Sequence, residues 1–101
     1  MSYREEVLRT SPALRNKDRF LLGALGLAGE SGETVDLLKK YFFHGAQLNQ
    51  LALKNELGDV RWYMEQLCIA AGFTMEEVEQ ANVEKLRLRY PNGFVEGGGV
   101  R

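Results

Sequence analysis

Residues 21–38 read LLGALGLAGESGETVDLL, and the fold turns on how this stretch is understood. Leu21, Leu22, Leu25, Leu27, Val35, Leu37 and Leu38 recur at helical rather than alternating spacing. At about 100° per residue they occupy nearly the whole circumference of a helix, the pattern of a central element enclosed by others. Asp18 is placed to cap this helix, which runs out near Phe42. Gly23, Gly26, Gly29 and Gly32 recur every third residue. Each costs roughly 1 kcal/mol of helix stability against alanine, so either a closely packed neighbour or room for a ligand must offset them. The sequence leaves those two explanations level.

Outward from this helix the chain reads as three more. Ser2 and Glu5 have the form of a capping box opening a short helix that ends at Ser11-Pro12. After a break at His44-Gly45, a third helix from about Asn49 to Ala71 carries Leu53, Leu57, Val60, Met64, Leu67 and Ala71 at alternating steps of four and three. Gly72 closes it, Thr74 and Glu77 open a fourth helix with a second capping-box pattern, and Pro91-Asn92-Gly93 stops that one. No strand pattern and no repeat is present. The expectation is an all-α fold of four helices over residues 1–94, followed by a mobile tail at 95–101 that contains Gly97, Gly98 and Gly99.

At 101 residues there is room for one core, and a 45% hydrophobic composition favours covering apolar surface by self-association. Thirteen basic and fourteen acidic residues give a net charge of −1, with no basic field to attract nucleic acid or an acidic membrane. Cys68 is the one cysteine, so no intrachain disulfide forms, and its apolar helical setting suggests a buried thiol. The longest nearly uncharged run, Phe20 to Gly29, is too short for a bilayer, and no signal peptide is evident at the N-terminus. A cytoplasmic location is expected.

Chemistry enters with the acids. Glu30 and Glu33 are one turn apart and share a face with Leu37 between them in angle; Glu56, Asp59 and Tyr63 repeat the arrangement on the third helix. Either pair alone is commonly a solvated surface. Two pairs bordering apolar seams are different, because converging carboxylates repel one another and lose hydration unless a counter-charge is supplied. Oxygen-only ligation points to Mg²⁺, or Mn²⁺, and Mg²⁺ ordinarily completes its shell with water and phosphate oxygens. On the fourth helix Asn82, Lys85 and Arg89 fall within a narrow arc and offer an amide and two cations to a polyphosphate. Neither Glu30 nor Glu56 is followed three residues later by histidine, which argues against a ferritin-like di-iron bundle. There is no Walker-type phosphate loop and no nucleophile elbow around Ser31.

Taken in order, residues 26–33 (GLAGESGE), 36–40 (DLLKK), 56–60 (ELGDV), Trp62-Tyr63, 81–85 (ANVEK) and 89–94 (RYPNGF) resemble the short, single-domain MazG-like nucleotide pyrophosphohydrolases, whose signature is an ExxE pair on one helix and an ExxD pair on the next. The resemblance spans roughly Tyr3 to Phe94. It implies an all-α fold assembled as a dimer or tetramer, with metal held by Glu30, Glu33, Glu56 and Asp59. It places Asn82 and Lys85 at phosphate or metal, Tyr63 where an aromatic ring stacks on a base, and Arg89 as a further phosphate contact. The implied reaction is Mg²⁺-dependent hydrolysis of a nucleoside triphosphate to monophosphate and pyrophosphate. Gly29 stands where many relatives carry an additional glutamate, so the general base falls to Glu33 or Glu30. Two rivals remain. One is a non-catalytic helical oligomer whose acids pair between subunits with Lys40, Lys85 and Arg89. The other is a pyrophosphohydrolase for one biosynthetic nucleotide such as phosphoribosyl-ATP.

Overall fold

The computed structural model describes residues 1–97 and contains four helices: α1 (Tyr3–Arg9), α2 (Asn16–Phe43), α3 (Gln50–Ala71) and α4 (Met75–Arg89). Among the described residues there is no strand, only an isolated bridge between Pro91 and Gly93. The expected tail lies partly outside the description, at residues 98–101.

Local chemistry sets most boundaries. Ser2 caps α1 by accepting from the Glu5 N–H at 3.1 Å, and Asn49 caps α3 by accepting from the Ala52 N–H at 3.0 Å. Thr74 and Glu77 form the reciprocal capping box at the start of α4. Gly72 ends α3 in a left-handed conformation (φ +85°), returning its N–H to the Cys68 carbonyl at 2.9 Å. One expected cap is corrected. Asp18 lies inside the first turn of α2, which begins at Asn16 behind Arg15 and has no side-chain cap. Asp18 instead pairs with Arg15 at 3.2 Å, and its charge suits the positive end of the helix dipole.

The antiparallel pair α2 and α3 forms the body of the molecule, with α1 laid across α3. Two of the four glycines explain how closely the long helices approach. A Cβ at Gly23 would come within 2.8 Å of Leu67, and one at Gly26 would fall inside the ring of Tyr63. Gly29 and Gly32 have nothing within 4 Å of such an atom. The glycine stripe therefore divides, with its first half serving packing between helices and its second half lying open.

On its other side α3 holds α1 through a chain of polar contacts. Gln66 is fully buried; its Oε1 accepts from Arg19 at 2.5 Å, and its Nε2 donates to the Ser11 hydroxyl at 2.6 Å, which itself donates to the Val7 carbonyl at 2.6 Å. Glu65, also buried, accepts from Arg4 at 2.5 Å and from Arg61 at 2.7 Å. Burial alone would raise the Glu65 pKa, but hydrogen bonds from Arg4 and Arg61, with their charges, outweigh it and leave the carboxyl below its ordinary value. Asn16 donates to the Ala70 carbonyl at 2.9 Å, satisfying an acceptor in the last turn of α3 that has no partner within its own helix. No buried side-chain polar atom among the described residues lacks a partner. Cys68 is buried, as its setting implied, and loss of hydration raises its pKa.

The expectation that α2 would be enclosed on all sides is not met within one chain. Leu25 is 72% exposed, Val35 65% and Phe43 81%, while α4 leaves the body after Met75 and buries none of its residues. A radius of gyration of 17.0 Å, against about 13 Å for a compact chain of this length, expresses the same openness. Apolar side chains cover nearly the whole circumference of α2, but one chain supplies a neighbouring helix on one side only. Among the described residues no helix is long and apolar enough to cross a membrane.

Candidate metal centre

The geometry of α3 places a site between its two packing faces. At about 100° per residue, with Glu56 at 0°, Tyr63 and Leu67 fall near 340° and 20°, toward α2; Glu65 and Gln66 fall near 180° and 280°, toward α1. Asp59, near 300°, lies on the strip between, and Trp62, near 240°, falls between Glu65 and Gln66 on the α1 side. Glu30 of α2 borders that strip, and a cleft of about 360 Å³ opens there, lined by Thr10, Glu30, Asp59, Trp62 and Tyr63. Its volume is within the range of small-ligand sites.

Glu30, Glu56 and Asp59 each present a carboxylate oxygen, and these atoms lie within 4.8 Å of one another. Among the described residues none of the three forms a salt bridge; Lys40, further along α2, is engaged by Asp36 at 3.1 Å. The Glu30 pKa is raised, first by lost hydration, then by a hydrogen bond with Glu56, then by the charges of Asp59, Glu56 and Glu33. Three acids thus converge without a paired cation among the described residues.

The sequence-derived residues are brought together in part. Glu33 does not join the cluster; it is exposed, one turn further along α2, and acts on Glu30 through its charge. Tyr63 lines the cleft, but its ring is also the group that fills the notch at Gly26. Asn82 and Lys85 are exposed on α4, Arg89 is half-buried at its end, and none of them lines the acidic cleft within a single chain. Facing acids and bases across one pocket is therefore not an arrangement this chain makes alone. Trp62 and Thr10, which the acid pattern did not single out, do line the cleft. For Trp62 a signal existed: its helical angle lies beside Asp59 and opposite the apolar seam. For Thr10 there was none.

The profile of the MazG nucleotide pyrophosphohydrolase domain matches residues 21–94, which takes in α3, α4 and nearly all of α2. The chain is also 37% identical over 79 residues to the "Gene 37 protein" of Mycobacterium phage L5, covering 74% of this chain and 69% of the phage protein. No solved structure matches it. The chain belongs to the MazG nucleotide pyrophosphohydrolase family, an all-α and metal-dependent family acting on nucleotides. The ExxE and ExxD pairs both lie within the matched segment.

Proposed function

We propose that the protein hydrolyses nucleoside triphosphates to nucleoside monophosphate and pyrophosphate in a Mg²⁺-dependent reaction. The observation that carries this reading is the convergence of Glu30, Glu56 and Asp59 within 4.8 Å with no basic side chain among the described residues paired to them. All donors are hard oxygens, which suits Mg²⁺ or Mn²⁺, and a divalent cation there would offset the lost hydration and the crowding by Glu56, Asp59 and Glu33 that raise the Glu30 pKa. A divalent cation bound there supplies positive charge to the phosphate oxygens and lowers the pKa of the attacking water.

In this reading Glu30, Glu56 and Asp59 are the principal ligands. Glu33, free of the cluster and one turn away, orients the water and takes its proton while that water attacks phosphorus in line with the departing pyrophosphate. Asn82, Lys85 and Arg89 act on the phosphates from the α4 of a second copy, where charge builds on the leaving group. The apolar surface left open on α2, and the groove along α4 lined by Val83, Leu86, Arg87, Tyr90 and Phe94, are the faces that a second copy would cover. Sedimentation of the purified chain is expected to give a dimer or tetramer at micromolar concentration; a monomer there would remove the second-copy role of α4.

A scaffold whose acids pair between subunits is the weaker alternative, since Lys40, one of its three cations, is already held by Asp36. The deciding experiment is turnover of a panel of canonical and modified NTPs and dNTPs with Mg²⁺, with pyrophosphate and orthophosphate quantified separately. Pyrophosphate released in step with monophosphate is expected. Absence of turnover across the panel with Mg²⁺ or Mn²⁺, and no stabilisation by either ion, would overturn the reading.

A further inference from the structure

The cleft beside the acids has a second wall that the metal chemistry does not use. It is made by Trp62, one turn beyond Asp59 on α3, and Thr10, which directly follows α1. The indole Nε1–H donates to the Thr10 hydroxyl at 2.9 Å. That hydroxyl in turn directs its own proton to main-chain carbonyls at the end of α1, Glu6 at 2.9 Å and Val7 at 3.1 Å. Its one proton is thereby committed to the main chain, and one of its two acceptor lone pairs takes the indole N–H. Thr10 consequently has no donor for an incoming phosphate.

The Trp62 ring is braced on a second side. Tyr63 meets it at 83° with ring centroids 5.0 Å apart, and Tyr63 is itself lodged against α2 at Gly26. An indole fixed at its polar edge and propped by a second ring is a rigid planar surface with little freedom left to lose on binding. Among the described residues no basic side chain lines this cleft, so its Trp62 wall suits a flat, uncharged, aromatic group rather than a phosphate. From these contacts we infer that Trp62 is the stacking platform for the nucleobase of the substrate, and that Thr10 is the positioning residue that fixes its plane. The inference rests on the nucleotide reading of the neighbouring acids and adds to it the part of the molecule that contacts the base. It gives the α1–α2 connection a role, because the residue orienting the platform lies there, outside the matched family segment.

The chain contains a single tryptophan, so its fluorescence reports on this ring alone. The test compares two probes in the presence of Mg²⁺: a non-hydrolysable α,β-methylene nucleoside triphosphate, and tripolyphosphate, which has the phosphates but no base. Affinities are measured by calorimetry on the wild type and on Trp62→Ala, Trp62→Phe and Thr10→Val. The expected result is that the nucleotide analogue perturbs Trp62 emission and tripolyphosphate does not. Trp62→Ala should weaken the analogue about tenfold or more while leaving tripolyphosphate unchanged. Trp62→Phe, which keeps a ring and protects against a merely unfolded variant, should fall between the two. Thr10→Val should weaken the analogue in the same direction and shift the Trp62 emission of the free protein. If tripolyphosphate binds but Trp62→Ala leaves the analogue unaffected, or weakens both probes equally, the base platform is overturned and the metal-phosphate reading stands. If neither probe binds with Mg²⁺, the nucleotide reading itself falls and the platform with it.

Discussion

Glu56→Gln is expected to lower turnover about 100-fold or more while leaving the metal-free protein as stable as the wild type or more so. The two effects separate because the side chain is nearly isosteric but uncharged. Losing one charged ligand from a three-carboxylate cluster removes several kcal/mol of transition-state stabilisation, and each 1.36 kcal/mol is about tenfold in rate. In the absence of metal the same change relieves repulsion, since Glu56 raises the Glu30 pKa both by hydrogen bonding and by charge. Active sites commonly trade stability for function in this way.

The pH dependence follows with a definite sign. In the metal-free fold Glu30 titrates above its ordinary value of 4.5, so over that window the folded state binds more protons than the unfolded one. Stability from this group therefore falls as pH rises through the window and is recovered on mild acidification. Glu65 behaves oppositely, because its carboxyl lies below 4.5; its contribution is present above that value and is lost as pH falls through the lower one. Melting temperature measured against pH, wild type minus Glu56→Gln, isolates the part of the Glu30 shift that Glu56 causes. The difference should shrink as pH approaches 4.5, and added Mg²⁺ should stabilise the wild type more than the variant. Equal Mg²⁺ stabilisation of both would remove Glu56 from the metal centre.

The helices were legible because their ends are local chemistry. Ser2, Asn49, Gly72 and Thr74 stop or start the backbone hydrogen-bond pattern with groups three or four residues away. Asp18 misled for a related reason: an acid in the first turn and an acid at the cap look alike in sequence, and the choice was made by the Arg15 backbone and the tie of Asn16 to Ala70. The acid cluster was legible as far as helical angle could carry it. Angle shows which residues share a face of one helix, but it does not show where the next helix lies along that face. Glu30 therefore meets Glu56 and Asp59 while Glu33, at the same sequence spacing as Asp59 from Glu56, stays outside. The same gap hid Thr10, which reaches the cleft only because Glu65 and Gln66 hold α1 and the residues after it over α3.

The glycine stripe yields the largest expected change in stability. Gly26→Ala places a methyl group inside the ring of Tyr63, which cannot withdraw without opening the contact between α2 and α3 or turning toward Trp62. Overpacking of this kind costs about 1–3 kcal/mol, more than the roughly 1 kcal/mol that alanine returns in helix propensity. Gly29→Ala, three residues on, meets nothing within 4 Å and should raise stability by up to about 1 kcal/mol, several degrees in melting temperature for a chain of this size. The pair separates packing from propensity, since both variants make the same chemical change on the same helix. A stabilised Gly29→Ala that still assembles would mean that this turn of α2 stays open after association, whereas a Gly29→Ala that melts lower and dissociates would place a second copy's helix against it. Gly26→Ala has a further consequence, because Tyr63 braces Trp62 and sits one turn from Asp59. Its loss of turnover should exceed what the unfolded fraction explains, since the methyl group disturbs the floor of the cleft and not only the join between two helices.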